Sequence, residues 1–164
     1  MKQYKTILVG DGGVGKTTYL TKLLTDEFRK NYVATLGVEV RPVVVKNTTF
    51  NVWDCAGQEK FSGLKDGYYI DGKCAIIMFC LDSELTYRNA MTWYREVVRS
   101  CGKIPIVFVG SKSDVEKIKV IHHPIYGQRL TDPPIPDGCD YVEISTKNGD
   151  GLNVPFELLL NKLQ

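Results

Sequence analysis

The segment Gly10-Asp11-Gly12-Gly13-Val14-Gly15-Lys16-Thr17 sets a lysine and a hydroxyl directly behind a glycine-rich run. That order suits phosphate chemistry. Glycines let backbone N–H groups turn inward as an anion nest, the amino terminus of a following helix adds its positive dipole end, and Lys16 brings a point charge to the outer phosphates. Thr17 would place its hydroxyl on a magnesium ion. The plainer alternative is a glycine-rich turn whose lysine is merely solvated. The apolar strand pattern ahead of the loop and the helix-compatible segment behind it favour the phosphate reading.

A second group closes the run Phe50–Asp54. Asp54-Cys55-Ala56-Gly57-Gln58 begins at the carboxyl end of an expected strand, the side of a doubly wound sheet at which ligands bind. There Asp54 would face the same metal, through a water. Phosphoryl transfer demands positioning and charge stabilisation, so Gly57 could donate its N–H to the outer phosphate while Gln58 orients the attacking water. Taken alone, an aspartate ahead of a glycine is a turn; its place after a phosphate loop makes it a candidate site. Gln58, Lys16 and Gly57 are the candidate catalytic residues.

Positioning these groups requires strands that alternate with helices, and short apolar runs do alternate here with segments of helical period. The fold class is α/β with a six-stranded, mostly parallel sheet. The expected strands are Tyr4–Val9, Val38–Val45, Phe50–Asp54, Cys74–Leu81, Pro105–Gly110 and Tyr141–Ser145. Lys46-Asn47-Thr48-Thr49 is too short for a crossover, so the second and third strands are antiparallel. Pro42 cannot donate to a ladder and puts the second strand at an edge. A helix is expected over Leu85–Cys101, with Tyr87, Met91, Tyr94, Val98 and Cys101 on one face and Asp82 or Ser83 as its cap. The last helix carries Phe156, Leu159, Leu160 and Leu163 behind a possible Asn153 cap, with Pro155 in its first turn. From Val115 to Asp140, Pro124, Gly127, Pro133, Pro134 and Pro136 break helical continuity, and an irregular excursion is expected. His122 and His123 cannot form the i, i+4 pair of a zinc site and read as solvated. Trp53 and Trp93 read as core or sheet-packing residues.

A chain of 164 residues falls within the size of one domain, spanning residues 1–164. A net charge of +2 without runs of like charge gives no footprint for nucleic acid. The apolar stretch Cys74–Leu81 is far short of the roughly 20 residues that cross a bilayer. Met1-Lys2-Gln3-Tyr4 leads into the first strand without a signal-peptide pattern. Five cysteines form no Cys-x-x-Cys pair, which favours reduced thiols and an intracellular compartment.

With these pieces in order, the chain resembles the Ras-like small GTPases of the P-loop class. Tyr32-Val33-Ala34-Thr35-Leu36-Gly37-Val38-Glu39-Val40, Asn51-Val52-Trp53-Asp54 and Gly63-Leu64-Lys65-Asp66-Gly67-Tyr68-Tyr69-Ile70 are similar to the Ran-like, nuclear-transport branch. The likeness covers nearly the whole chain. It implies a GDP/GTP switch with magnesium and slow hydrolysis. Thr18 would join the phosphate loop in holding the nucleotide, and Thr35 in the first switch would bind magnesium in the triphosphate state. Tyr32 would cover the phosphates, and Gly57 and Gln58 would belong to the second switch. Loss of the γ-phosphate would release Thr35 and Gly57, and partners would sense the difference. Phe61 reads equally as a partner anchor or as local packing. Arg29 and Arg41 read as solvated, with no built-in arginine finger, so unaided hydrolysis would be slow; relatives gain roughly 10³- to 10⁵-fold when a partner supplies that charge or orders the glutamine.

The resemblance also places base recognition, and there the chain departs from its family. Ser111-Lys112-Ser113-Asp114 stands where Asn-Lys-x-Asp is the family pattern. Asp114 would accept from the guanine N1–H and exocyclic amine. Ser111 is expected to be too short for the asparagine's bridging hydrogen bonds, a loss of about 1–3 kcal/mol that would weaken nucleotide binding roughly 5- to 150-fold. Ser145-Thr146-Lys147 resembles Ser-Ala-Lys, whose backbone N–H reaches the guanine carbonyl, and threonine keeps that N–H.

Implied partners are a guanine nucleotide exchange factor, a GTPase-activating protein and importin- or exportin-type receptors, with a monomer shared between nucleus and cytoplasm. A short hairpin between the second and third strands, the proline-rich excursion and a basic cluster reduced to little more than Arg129 weigh against importin-type recognition. No prenylatable cysteine lies near Gln164, so no membrane anchor is expected. Two other readings stay open. One is a degenerate nucleotide-binding decoy or scaffold, motivated by Ser111. The other is a P-loop nucleotide kinase, which the lack of an arginine-rich lid and the presence of Lys112-x-Asp114 oppose.

Overall fold

The run Cys74–Cys80 is apolar on both of its faces and every residue in it is buried, so it can lie only inside a sheet covered on two sides. The computed structural model describes residues 1–25, 39–54, 65–114 and 135–164. Within them the chain runs β1 (Lys2–Gly10), α1 (Lys16–Thr25), β2 (Glu39–Val45), β3 (Thr48–Asp54), α2 (Lys65–Tyr69), β4 (Cys74–Cys80), α3 (Glu84–Cys101), β5 (Ile106–Ser111), β6 (Asp140–Glu143) and α4 (Val154–Leu163). The strands form one six-stranded sheet in the order β2-β3-β1-β4-β5-β6. Every pair is parallel except β2 with β3.

Pro42 sits on β2 opposite Asn51 of β3, at the sheet edge that its missing N–H requires. The turn behind it is tighter than expected. Thr48 and Thr49 belong to β3, and only Lys46 and Asn47 connect the strands, with Lys46 at φ 54°. Arg41 is not solvated as the sequence suggested: its guanidinium donates to Thr21 Oγ1 at 2.9 Å and to Glu39 at 2.8 Å, tying the edge strand to α1.

Alternation along the strands sends side chains into two cores. Ile7, Val9, Ala75, Ile77, Phe79 and Phe108 pack against α2 and α3, while Leu8, Ile76, Met78, Val107 and Val109 pack against α1 and α4. Tyr19 and Phe156 meet in the second core with ring centroids 6.4 Å apart. Trp93 joins the first core, and Trp53 packs at its rim with the Lys5 ammonium 3.7 Å from its ring centroid.

Helix α3 starts at Glu84, one residue before the expected Leu85, and is capped by Ser83, whose Oγ accepts from the Thr86 N–H at 3.4 Å. Its buried face differs from the expected one. Tyr87 and Met91 are buried, but Ala90, Trp93 and Val97 complete the face and Val98 points outward. Helix α4 follows Asn153, whose side chain makes no capping bond because its own backbone is already helical at φ −84° and ψ −20°. The strand at Asp140–Glu143 is shorter than the expected Tyr141–Ser145, since Ser145 turns back to pair with Asp150. Residues 115–134 of the expected excursion, with His122, His123 and Arg129, lie outside the described residues. The four described cysteines, Cys74, Cys80, Cys101 and Cys139, are free thiols. No helix among the described residues is long and apolar enough to cross a membrane.

Candidate functional site

Strand β1 has β3 on one side and β4 on the other, so the loop that follows Gly10 leaves the sheet where its winding changes direction, the usual ligand crevice of such folds. Gly10 is required there by close approach. A Cβ at this position would collide with the Met78 carbonyl oxygen of β4. Gly15 takes φ 96°, a conformation that costs other residues strain, and the next residue opens α1.

Lys16 is buried, and its ammonium donates to the carbonyl oxygens of Gly10 and of Asp11, the latter at 2.9 Å. The loop thus wraps its own lysine and fixes the charge within the nest. Gly12 and Gly13 stay exposed on the outer side while Val14 is buried beneath them. Thr18 follows Lys16 and Thr17 in the first turn of α1.

Thr17 Oγ1 donates to Asp54 Oδ2 at 2.5 Å, joining the first turn of α1 to the end of β3. A hydroxyl that gives its proton to a carboxylate keeps acceptor lone pairs, as a hard cation requires. A hydroxyl oxygen and a fully buried carboxylate beside the glycine loop are the kind of hard oxygen donors that magnesium selects. The residues present therefore fit that ion.

The segments after β5 and β6 meet beside the same loop. Ser111 is buried, and its Oγ lies 2.8 Å from the Val14 carbonyl and 3.0 Å from the Phe79 carbonyl. β5 carries residue 111 close enough for a one-carbon side chain to reach the Val14 carbonyl of the glycine loop, so on the protein side of the expected bridge serine makes a contact. Lys112 then takes φ 63°, a left-handed conformation that costs a non-glycine residue about 1–2 kcal/mol. The Ser113 N–H donates to Ile144 O at 2.9 Å and holds that turn against β6.

Asp114 and Ser145 are brought together, with Ser145 Oγ donating to Asp114 Oδ1 at 2.8 Å. The same hydroxyl accepts from the Asn148 N–H at 3.1 Å, and Ser145 exchanges backbone bonds with Asp150 at 3.0 Å. Thr146 and Lys147 lie inside this tightened loop. From α1, the Tyr19 hydroxyl donates to Leu152 O at 2.6 Å and anchors its far side.

A model of the Ras family matches residues 5–164, nearly the full chain. The chain belongs to the Ras family. Ras-family proteins are small GTPases that bind GDP and GTP, typically with magnesium, and that interact with exchange factors and activating proteins.

In this Ras-family chain the Cys80 thiol lies 3.7 Å from Ser111 Oγ and 3.9 Å from Gly13 O, and burial pushes its ionisation upward. Burial likewise raises the Tyr19 phenol, so both groups stay protonated beside the site. Neither is a nucleophile at neutral pH.

Tyr32, Thr35, Gly57, Gln58 and Phe61 lie outside the described residues. Two contributors were missed from the Ras-family sequence. Asn89 and Trp93 of α3 both bond the Asp11 carboxylate, at 2.6 Å and 3.1 Å. Their i, i+4 spacing put them on one helical face, and a polar Asn89 beside an apolar face was the signal available.

Proposed function

We propose that this Ras-family protein is a Ran-like GDP/GTP switch, a single-domain monomer that hydrolyses GTP slowly and serves nucleocytoplasmic transport. The observation that carries the nucleotide reading is convergence: Asp114, held by Ser145, and Ser111, latched to Val14, stand beside the loop that holds Lys16. One end of that crevice is built for an anion and the other for hydrogen-bond donors of a base.

In this reading Lys16 and the N–H groups of Gly12, Gly13, Val14 and Gly15 bind the phosphates, and Asp114 accepts from the guanine edge. Thr146 and Lys147 offer backbone N–H groups to the base carbonyl. Thr17, Thr35 and, through water, Asp54 would hold magnesium, which when bound neutralises charge on the outer phosphate oxygens. Gly57 donates to the γ-phosphate, Gln58 orients water, and Tyr32 covers the phosphates. Exchange factor, activating protein and importin- or exportin-type receptors then read the segments around Thr35 and Gln58, in nucleus and cytoplasm. The stretches around Tyr32 and Gly63 support the Ran-like branch over others.

Titration of nucleotide-free protein with fluorescent GDP, GTP, ADP and ATP in magnesium tests the switch, together with GTP turnover of wild type and Gln58→Leu. Guanine-selective binding with turnover lost in Gln58→Leu is expected. Guanine binding without turnover, even with an activating protein, would favour the decoy reading that Ser111 motivates; unselective binding would overturn the switch. Binding of GTP-loaded protein to transport receptors tests the Ran-like role separately.

A further inference from the structure

Asp11 is an acid placed inside a loop whose task is to hold an anion. An uncompensated carboxylate there would repel a polyphosphate. Its two oxygens instead accept from two donors on α3: Asn89 Nδ2 lies 2.6 Å from Oδ2 and Trp93 Nε1 lies 3.1 Å from Oδ1. Both donors are neutral. They stabilise the Asp11 carboxylate and fix its direction, leaving its charge in place and adding no second cation beside Lys16.

The same residue touches the lysine through its backbone. The Asp11 carbonyl accepts from Lys16 Nζ at 2.9 Å, so a side chain held from one direction fixes a carbonyl that holds the ammonium from the other. The donors are themselves rigidly placed. Trp93 is buried in the core between α3 and the sheet, and Asn89 sits one helical turn earlier on the same face.

We infer that Asn89 and Trp93 are positioning residues for nucleotide retention, clamping Asp11 so that its carboxylate is turned from the phosphates and its carbonyl keeps Lys16 in place. The inference rests on the nucleotide reading above and extends it to a helix that no base- or phosphate-binding segment includes. It also makes α3 a lever. Whatever displaces that helix alters the grip of the loop on its nucleotide.

The test is the release rate of fluorescent GDP from the magnesium-loaded protein, with wild type, Trp93→Phe, Asn89→Ala, Asn89→Asp, Asp11→Ala and the double variants that combine Asp11→Ala with each. Trp93→Phe and Asn89→Ala should each speed release roughly tenfold, the scale of a hydrogen bond to a charged group. Asn89→Asp should exceed Asn89→Ala, because it faces one carboxylate with another. Adding Asp11→Ala should erase all three effects and return release to the rate of Asp11→Ala alone, a rescue that a merely structural role would not produce. Melting curves followed by circular dichroism establish that each variant is folded, and Asn89→Ala carries the test if Trp93→Phe is not. Effects that persist unchanged in the Asp11→Ala background, or single variants that release at the wild-type rate, overturn the clamp while leaving guanine binding intact. A wild type that retains no guanine nucleotide overturns the nucleotide reading and the clamp with it.

Discussion

The Ser111 hydroxyl oxygen lies 2.8 Å from the Val14 carbonyl oxygen, so the end of β5 is latched to the phosphate loop across 97 positions of sequence. A hydroxyl has one proton, and two buried carbonyls, Val14 and Phe79, compete for it. Two consequences follow for stability and for base recognition.

Ser111→Ala leaves those carbonyls without that donor and should lower the unfolding free energy by about 1–2 kcal/mol in urea denaturation. An unchanged midpoint would show that the latch contributes nothing. A proton given to protein carbonyls is also not given to a base, so wild type should bind GDP and 7-deaza-GDP equally. Ser111→Asn, with a second amide proton, should gain a preference for GDP; a strong GDP preference in wild type would contradict the assignment.

Thr17 and Asp54 meet at 2.5 Å, and in the proposed switch they are the hard oxygen donors at the phosphate end. Chelating magnesium should speed GDP release from wild type roughly 10- to 100-fold, the scale of one or two charged contacts. Thr17→Ala should release quickly with or without the ion. Retention of a large chelator response in Thr17→Ala would move the ion elsewhere.

Asp114→Asn replaces an acceptor-only group with one that also donates. Guanine nucleotides should bind at least roughly tenfold more weakly, while a xanthine nucleotide, whose C2 carbonyl can accept from the new amide, should gain. Competition binding of GDP and xanthosine diphosphate reads both changes. Ser145→Ala removes the 2.8 Å tether on that carboxylate and the acceptor of the Asn148 N–H but keeps the carboxylate itself, and should weaken GDP less than Asp114→Asn does.

Burial pushes the Cys74 thiol from 9.0 up to about 12, against the opposing effect of its contact with Thr6, and pushes Cys139 up to about 11. Below pH 9 folded and unfolded chains both hold these protons, and their contribution to stability is fully present. Between pH 9 and 12 the unfolded chain ionises first, so stability falls as pH rises through that window. Urea midpoints at pH 8 and pH 10.5 measure the fall, which should be shallower in Cys74→Ala. An equal fall in both proteins would assign it to other groups, the raised Tyr19 phenol among them.

The sequence by itself determined the architecture and the position of the phosphate loop, for local reasons. Short apolar runs such as Cys74–Leu81 between segments of helical period, a connection too short for a crossover and a proline at position 42 leave few sheets to choose from, and the observed strand order keeps β2 at the edge. Glycine spacing ahead of Lys16-Thr17 is a local signature as well, because the nest is built from consecutive backbone groups. The inward face of α3 was legible only in part: Tyr87 and Met91 follow the helical period, while Trp93 and Val97 are chosen over Val98 by the strands they meet.

What the tertiary structure alone decided are the contacts between segments far apart in the chain. Whether a serine can stand where a long amide is the family pattern depends on how closely β5 passes the phosphate loop, a spacing set by the packing of β4 and β5. That Asp11 is clamped by α3, and that Tyr19 reaches Leu152, likewise depends on how helices seat against the sheet. Residue type fixes which hydrogen bonds a side chain can make, and only the fold fixes which partners come within 3 Å of it.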